Sequence, residues 1–454
     1  MNPKKPFHFF LKRQLNILLS AKSTPFQKKL PKHILTLKFQ QEATLPSNPP
    51  FKCKTKLLQN LKLIKSSQNI DLQELTSLVD LTPFELKKIA KILTPCRNFK
   101  LPSASFSFST SLLKQCKNLT SFASFFEEIT SYGLIPFLRA FARKKKLKQV
   151  AFVFKENHIY VPFSCYPSNL QKISIHSRAK TSPLFPSMDT REYKLAFSHL
   201  KNLQHLDLGI ALHPAAISRL LLTIINPKGL QSLGLCLANV FHGAPSGTKN
   251  LAKTLQKFQN LKNLKLHIKI SAIIFKIVET LENWALESFE LDVPLLNEAE
   301  LSFLGCSLGT LKSLKKLVVR LQSSAQVDIP EAFTSFFSQI STLAQLQILE
   351  FHFECPVEDL PKCSGSKIIS ALSDCISKLP HLKELNFYYK KKDLSSGLGS
   401  LSKALEKIGQ NLTRLELEVR AKDIESHDFT DFIQTLNSMK KLEVRKLTGF
   451  QVKK

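Results

Sequence analysis

The feature that most constrains the fold of this chain is an internal repeat of the pattern L-x-x-L-x-L-x-L, where x is mostly polar. The repeat reads LQHLDLGI from Leu203, LQSLGLCL from Leu230 and LKNLKLHI from Leu261. Other copies start at Leu170, Leu286, Leu314, Leu346, Leu382, Leu412 and Met439, so that neighbouring copies lie 25 to 36 residues apart. A repeat at this spacing is typical of stacked structural units.

Each copy predicts a short strand, because its apolar residues alternate and so fall on one face. Between the copies lie amphipathic stretches with the period of a helix. They include residues 248–258, 271–284, 331–343, 368–379 and 400–408. One strand with one helix cannot bury its apolar face alone, so neighbouring units must stack. Because helices are bulkier than strands, the array should curve with the strands on the inside.

We therefore expect a single parallel sheet whose strands follow one another in chain order, about 4.8 Å apart. The expected strands begin near Leu206, Leu233, Leu264, Phe289, Leu317, Leu349, Leu385 and Leu415. The alternation also predicts which side chains face the core. In the strand near Leu385, that leucine and Phe387 should be buried, while Asn386 and Tyr388 should face the groove.

Over residues 165–450 this pattern resembles the leucine-rich repeats of the ribonuclease-inhibitor type, which have units of similar length with a full helix in each. The resemblance implies an α/β solenoid, a horseshoe with parallel strands on its concave face and helices on its convex face. The Asn or Cys that closes the family's strand motif is mostly absent here, Asn239 being one good match, so the repeats are degenerate. A fold of this kind does not by itself define a function.

Ahead of the array, which we assign to residues 165–454, residues 42–164 form a basic region of diverged repeats or a helical cap. The segments that start at Leu58 and Leu147 resemble the strand motif, and Phe106 with Phe108 are candidates for another strand. The sequence Thr82-Pro-Phe-Glu85 predicts the start of a helix. Residues 40–56, with three prolines, read as a linker.

Residues 1–41 contain nine basic residues and no acid, and Phe7, Phe10, Leu11, Leu15 and Leu18 fall on one helical face. Three interpretations stay open: a mitochondrial presequence, a basic arm for RNA, or an ordinary packed, membrane-surface or disordered segment.

The nine cysteines show no CxxC pair and fit reduced thiols inside a cell. The predicted location is therefore intracellular: the mitochondrion on the first interpretation, otherwise the cytoplasm or nucleus.

The positive charge of the chain is strongly asymmetric. Of 65 Lys and Arg against 35 Asp and Glu, residues 1–278 hold 43 and 11, while residues 279–454 hold 22 and 24. Such a distribution favours contact with a polyanion such as RNA, or with an acidic membrane surface, through residues 1–278. A solubilising charge is the alternative. The candidate polyanion-binding residues are Arg143, Lys144, Lys145, Lys146, Lys148, Lys172, Arg178, Lys265 and Lys269.

The run from Arg143 to Lys148 has a second explanation, a cationic helix C-terminus favoured by the helix dipole. We expect the side chains of Lys144, Lys145 and Lys146 to be solvated. The inner face of the earlier repeats should also be positive, through Lys172, Lys265 and their neighbours, with only Asp207 opposing.

In the later repeats, the residues between the buried ones give an inner face of mixed sign. These are Glu290, Asp292, Lys316, Arg320, Glu350, His352, Glu354, Asn386, Tyr388, Lys390, Arg414, Glu416, Glu418 and Arg420. Its acidic rows would repel a phosphate backbone, so this face favours a protein partner, with Tyr388 as an anchor. Glu350, His352 and Glu354 could instead hold a metal ion, although solvated polar residues are the simpler interpretation.

The sequence contains no catalytic motif of the HExxH, GxSxG or kinase type and no motif for a cofactor. The segment from Gly243 to Lys249 departs from a phosphate-binding loop in both spacing and order. No apolar run reaches 18 residues, which argues against a transmembrane span. The sequence therefore predicts a non-enzymatic scaffold that binds a protein partner. The alternative is an RNA-binding structural subunit of a ribonucleoprotein that uses the basic half.

Overall fold

The computed structural model describes most of the repeat array and parts of the region before it. The described residues are 35–38, 69–73, 97–101, 106–126, 131–155, 166–177, 197–237, 245–268, 271–281, 284–294, 297–322, 330–354, 365–389, 397–424 and 426–452. Side chains near the edges of some of these ranges are not described.

One parallel sheet of fifteen strands runs through the described part of the chain in unbroken chain order. Its strands are β1 (Leu35–Lys38), β2 (Asn69–Gln73), β3 (Asn98–Leu101), β4 (Ser121–Phe126), β5 (Gln149–Phe154), β6 (Lys172–Ser177), β7 (His205–Leu212), β8 (Ser232–Leu237), β9 (Asn263–Ile268), β10 (Ser288–Pro294), β11 (Lys316–Gln322), β12 (Ile348–Glu354), β13 (Glu384–Tyr389), β14 (Arg414–Ile424) and β15 (Val444–Val452). The predicted order and parallel direction are confirmed for all eight expected strands.

The helices lie on the other side of the core, and each packs against helices of neighbouring units. In the described residues they are α1 (Phe106–Gln115), α2 (Ser131–Ala142), α3 (Pro214–Leu222), α4 (Pro245–Leu255), α5 (Ser271–Val278), α6 (Glu298–Gly309), α7 (Pro330–Ile340), α8 (Gly365–Ile376), α9 (Leu398–Ile408) and α10 (Ser426–Ser438). Five of them overlap the five predicted helical stretches, and four of these begin one to three residues earlier than predicted. The protein is thus a leucine-rich-repeat solenoid, with strands on the concave face and helices on the convex face.

The core runs between the two layers as one continuous apolar cluster. The repeat explains its form, because equivalent residues meet across the sheet: Leu349 pairs in register with Leu317 on one side and with Leu385 on the other. In the unit of β12, Phe351 packs its ring against Phe337 of helix α7, with ring centroids 5.2 Å apart. Such stacking buries the face that a single unit could not bury alone.

Upstream of residue 165 the sheet continues, and one strand prediction there is wrong. Phe106 and Phe108 lie in helix α1, not in a strand. Their alternation is too short to define a strand, and the apolar residues after them follow helical spacing to Leu112, Leu113 and Cys116, all buried. The motif at Leu147, by contrast, does form strand β5.

Phenylalanine takes the place of leucine in this upstream part of the core. Phe122 and Phe126 of strand β4 occupy inward positions, and both pack against Phe152 of β5, with ring centroids 6.2 and 5.9 Å away. Phe137 of helix α2 closes the cluster at 5.9 Å from Phe152. The substitution by phenylalanine explains why the leucine pattern does not reveal strand β4.

Several predictions lie outside the described residues. They are the helical face of Phe7 to Leu18, the linker 40–56, the motif at Leu58, the helix start at Thr82, and Asn239. Within the described ranges, no helix combines the length and the apolar character needed to cross a bilayer.

Candidate functional site on the concave face

The concave face carries two rows of side chains, because every strand from β9 to β15 pairs in register with the next. Row 1 consists of Lys265, Glu290, Val318, Glu350, Asn386, Glu416 and Lys446. Row 2 consists of His267, Asp292, Arg320, His352, Tyr388, Glu418 and Thr448. In β9 to β14 the residues that alternate with them point into the core, so the rows belong to the opposite face of the sheet.

Opposite charges on neighbouring strands pair with one another along this face. Arg320 stands at the centre: its Nη1 donates to Glu290 Oε1 at 2.7 Å, and its Nη2 donates to Glu350. Lys265 Nζ lies 2.9 Å from the same oxygen of Glu290, and His352 Nε2 lies 3.0 Å from Glu350 Oε1. We call the chain Lys265–Glu290–Arg320–Glu350–His352 the ion-pair ladder. It ties four consecutive repeats together on the side away from the helices.

The ladder is partly shielded from water, which strengthens its interactions. The side chains of Glu290 and Glu350 are 22% and 19% exposed, and Val318 lies fully buried between them in register. The hydrogen bond with His352 and the neighbouring Arg320, opposed by burial, hold the pKa of Glu350 at about 2. Burial raises the pKa of Glu290, but the hydrogen bonds from Lys265 and Arg320 outweigh it, and the net shift is downward.

The depressed pKa predicts that the ladder loses stabilisation in acid. Since the folded-state pKa of Glu350 is about 2 and that of an unfolded chain about 4.3, the charged form stabilises the fold above about pH 4.3 and progressively less as the pH falls towards 2. We expect Glu350→Gln to lower the urea midpoint at pH 7 and to change it less at pH 4 and below. The exposed Glu279 lies on the helix side after α5, and Glu279→Gln serves as the control. An equal effect of Glu350→Gln at every pH would contradict this prediction.

Beyond the ladder, two more pairs lie on the same face. His267 Nδ1 lies 2.8 Å from Asp292 Oδ2, and Arg414 Nη2 donates to Glu416 Oε1 at 2.6 Å. The ring of Tyr388 stacks on that of His352, with centroids 5.3 Å apart and planes 25° apart. The mixed-sign face expected from the sequence is therefore present, but much of its charge is neutralised within the protein.

The structure brings together most of the predicted concave residues. Lys316 lies half-buried at the start of strand β11. Glu354 and Arg420 belong to strands β12 and β14, but their side chains are not described, and Lys390 lies outside the described residues. Within the described residues, no three His, Cys, Asp or Glu side chains come together so as to hold a metal ion. Glu350 and His352 instead contact each other directly.

The turn between α2 and β5 carries five of the polyanion candidates. Arg143, Lys145, Lys146 and Lys148 are exposed there, and Lys146 Nζ donates to Asn118 Oδ1 at 2.8 Å. The turn follows directly on a helix, so the helix-end explanation of this cluster fits as well. Lys172 is exposed at the start of β6, Lys265 is part of the ladder, and the side chains of Arg178 and Lys269 lie outside the described residues.

Lys144 does not fit the expectation of a solvated side chain. Its Nζ donates to the carbonyl of Cys116 at 3.0 Å, and the side chain is half-buried. Burial lowers the pKa of Lys144 and outweighs the opposing effect of Cys116, and the nearby charge of Lys117 lowers it as well. The reason is tertiary: the turn before β5 stacks on the equivalent turn of the preceding unit, which supplies the carbonyl.

The positive inner face expected of the earlier repeats is found only in part among the described residues, where Lys265 lies in row 1 and Lys172 is exposed at the start of β6. Upstream of β9, row 1 continues as Gly234, Asp207, Ser174, Ala151 and Ala123, which carry no positive charge. Among these residues Asp207 is acidic, and its Oδ2 lies 3.1 Å from His176 Nε2. The inner surface of strands β4–β8 is therefore built mainly of small, neutral side chains in these row positions.

The basic residues instead recur in the turns that precede the strands. A lysine stands two residues before the first leucine of a repeat motif at Lys145, Lys201, Lys228 and Lys312. Strand pairing places Lys117 and Lys440 at the same position, because it makes Leu119 equivalent to Leu147, and Leu442, instead of Met439, equivalent to Leu412. All six side chains are exposed. Because equivalent turns stack along the array, these positions share one edge of the solenoid. We call this edge the lysine edge. The recurrence of lysine at this position in the sequence could have revealed the lysine edge before the structure did.

Comparisons with known proteins found only limited similarity. No protein-family model matches the chain. A segment of 131 residues, 29% of the chain, is 29% identical to interleukin-2 of Boselaphus tragocamelus and spans 81% of that protein. Among solved structures, the chain is similar to the leucine-rich repeat-containing protein LegL7 from Legionella pneumophila, with 14% identity, 75% of this chain and 97% of that chain covered, and a TM-score of 0.38. These likenesses assign the chain to no family, and the fold rests on the strand order and register described above.

Proposed function

We propose that this protein is a non-enzymatic scaffold that binds a protein partner through the concave face of strands β9–β15. The observation that carries the proposal is the ion-pair ladder with the adjoining stack of Tyr388 on His352. Charged groups fixed by mutual pairing present a preorganised, sequence-specific pattern at low entropic cost to a partner. An aromatic side chain beside them is the kind of residue that anchors protein interfaces.

The repeat class is part of this proposal. Units of 25 to 36 residues, each with a strand and in most cases a regular helix of 8 to 13 residues, support assignment to the ribonuclease-inhibitor type. In such a unit the full helix widens the convex side, which strengthens the curvature of the strand face.

Site-specific photocrosslinking in the native cell tests the proposal. A photoreactive amino acid in place of Tyr388 should form nuclease-resistant protein adducts, because its side chain lies at the proposed interface. The same amino acid in place of Lys403, exposed on helix α9, is the matched convex control and should form few. Equal adducts from both positions, or none from Tyr388, would reject the concave face as the binding surface.

A second function, polyanion binding, is favoured by the charge of the upstream half. Among the side chains described from residue 97 to 268, nineteen Lys and Arg oppose a single acid, Asp207. The lysine edge supplies exposed charge at a repeating position, as a phosphate backbone requires. We infer that RNA would lie along this edge and not in the neutral groove of β4–β8.

Charge reversal on the lysine edge tests this second function. We expect the combined change of Lys117, Lys145, Lys201 and Lys228 to Glu to weaken binding of a single-stranded RNA oligomer, measured by fluorescence anisotropy. The slope of log affinity against log salt should fall by about one for each phosphate contact that is lost. Reversal of Lys378, Lys403, Lys407 and Lys441, exposed in the C-terminal half, is the control.

Two outcomes would contradict RNA binding. The intact chain could fail to bind the oligomer at about 50 mM salt, where phosphate contacts are strong. Alternatively, both reversal variants could weaken binding equally, which would indicate unspecific attraction by net charge. If the intact chain does not bind the RNA oligomer but floats with anionic lipid vesicles in a flotation assay, the excess positive charge binds a membrane surface.

A further inference from the structure

A cavity of about 310 Å³ opens on the concave face at the C-terminal end of the sheet, over strands β12 to β15. Its lining residues are Glu350, His352, Asn386, Phe387, Tyr388, Arg414, Glu416, Leu417, Glu418, Lys446 and Thr448. The cavity begins at the end of the ion-pair ladder, which contributes Glu350 and His352, and extends to strands where the described charges pair less completely.

Three polar atoms in this lining are buried and have no hydrogen-bond partner in the described part of the chain. They are Asn386 Oδ1, Arg414 Nε and Thr448 Oγ1, on three successive strands. Buried polar atoms are nearly always paired in folded proteins, and each exception requires an explanation. Of the three, Asn386 Oδ1 and Thr448 Oγ1 can accept a hydrogen bond from a group that enters the cavity, whereas Arg414 Nε is a donor and needs an acceptor. The two acceptors indicate a site completed by a ligand that carries hydrogen-bond donors.

The carboxylates of the cavity differ in what they contact. Glu350 is held by Arg320 and His352, and Glu416 is held by Arg414. Glu418 makes no ion pair or hydrogen bond among the described residues. It lies in register between Tyr388 and Thr448. The charge left over on this part of the wall is therefore negative, beside an aromatic ring and a hydroxyl group.

Lys446 is the one opposing charge left among the described residues of the lining. It lies in register with Glu416, in row 1, whereas Glu418 lies in row 2. Of the three carboxylates, Glu350 is compensated by Arg320 with His352, and Glu416 by Arg414. The charge that favours a cationic ligand is therefore local to Glu418 and does not come from the cavity as a whole.

We propose that this cavity binds an arginine side chain of the protein partner, with its guanidinium against Glu418 and the ring of Tyr388. A guanidinium is planar, stacks on aromatic faces and carries five N–H donors. Those donors match the carboxylate of Glu418, the carbonyl of Asn386 and the hydroxyl of Thr448. A lysine ammonium would reach the carboxylate but would stack less well. The inference rests on the proposed function, since it supplies the chemistry of the partner.

Small capped amino acids test the proposal on the full chain, by ligand-observed saturation-transfer NMR with titration. We expect acetyl-arginine amide to bind and its neutral isostere, acetyl-citrulline amide, to bind about tenfold more weakly, since a charge-assisted hydrogen bond is lost. Glu418→Gln should reduce the affinity for the arginine probe by about the same factor. Glu279→Gln, on an exposed side chain of the helix side, should leave it unchanged. Far-UV circular dichroism confirms that both variants are folded.

Two results would overturn the cavity assignment: the arginine probe binds Glu418→Gln as well as the intact chain, or acetyl-glutamate amide binds better than the arginine probe. The second result would indicate an anion held by Arg414 and Lys446. The two proposals fail separately. If a protein crosslinks at position 388 but the arginine probe does not bind, only the cavity inference is rejected. If the arginine probe binds but no protein crosslinks, the proposed function is rejected.

Discussion

Replacement of Leu385 by alanine should lower the free energy of unfolding by about 2–5 kcal/mol. Leu385 is fully buried on strand β13, where it pairs in register with Leu349 and Leu415. Both neighbours belong to other repeats, so the surrounding core cannot collapse into the space without shifting two further units. The change is measured as the shift of the urea midpoint with an unchanged slope.

The neighbouring residue provides the control for this experiment. Asn386 points to the concave face and is only half-buried, and its carbonyl oxygen makes no hydrogen bond within the described residues. Asn386→Ala should therefore change stability little, because the substitution breaks no pair. Comparable losses from both substitutions would show that the inward and outward positions are assigned to the wrong residues.

Replacement of Gly305 by alanine should destabilise the protein by roughly 1–3 kcal/mol, although alanine is the better helix former. A Cβ at Gly305 in helix α6 would lie 2.7 Å from the Cα of Phe336 in helix α7. Because the obstacle is backbone, the two helices would have to move apart, and Phe336 is fully buried between them. Thermal and urea unfolding measure the loss.

A second glycine gives the opposite expectation. A Cβ at Gly399, in the first turn of helix α9, would meet no atom within 4 Å. Gly399→Ala should stabilise the protein by about 0.4–1 kcal/mol, because it restricts the unfolded chain without a clash. If both glycine variants are stabilised, helices α6 and α7 do not approach as closely as the structure describes.

The fold of the repeat array could be predicted from the sequence because its information is local and repeated. The alternation within LKELNFYY from Leu382 defines which face of strand β13 is buried, and Leu385 and Phe387 are indeed buried, while Asn386 and Tyr388 lie on the groove side. Repetition at 25 to 36 residues then implies stacking in chain order. The same reasoning failed where the local pattern was ambiguous. Phe106 and Phe108 alternate as in a strand but belong to a helix.

The sequence also predicted which charged residues lie on the concave face, but it did not predict which of them form ion pairs. Arg320 bridges Glu290 and Glu350, each 30 residues away along the chain. This contact depends on the register between strands, and the register depends on packing in three units at once. The consequence is functional, since charges that pair with each other meet a partner as one fixed pattern and not as separate free ions.

From β7 to β14 the sequence by itself determined the strands, their phase and their order, because alternation acts within a few residues and recurs in each unit. Only the tertiary structure decided how the units meet. Stacked turns bring Lys144 Nζ to the carbonyl of Cys116 and place the recurring lysines on one edge. Register across β13 to β15 places Glu418 beside Tyr388, where it makes no ion pair with any described residue. The physical reason is that a hydrogen bond or an ion pair needs two groups within about 3–4 Å, and here only stacking brings residues from separate repeats that close.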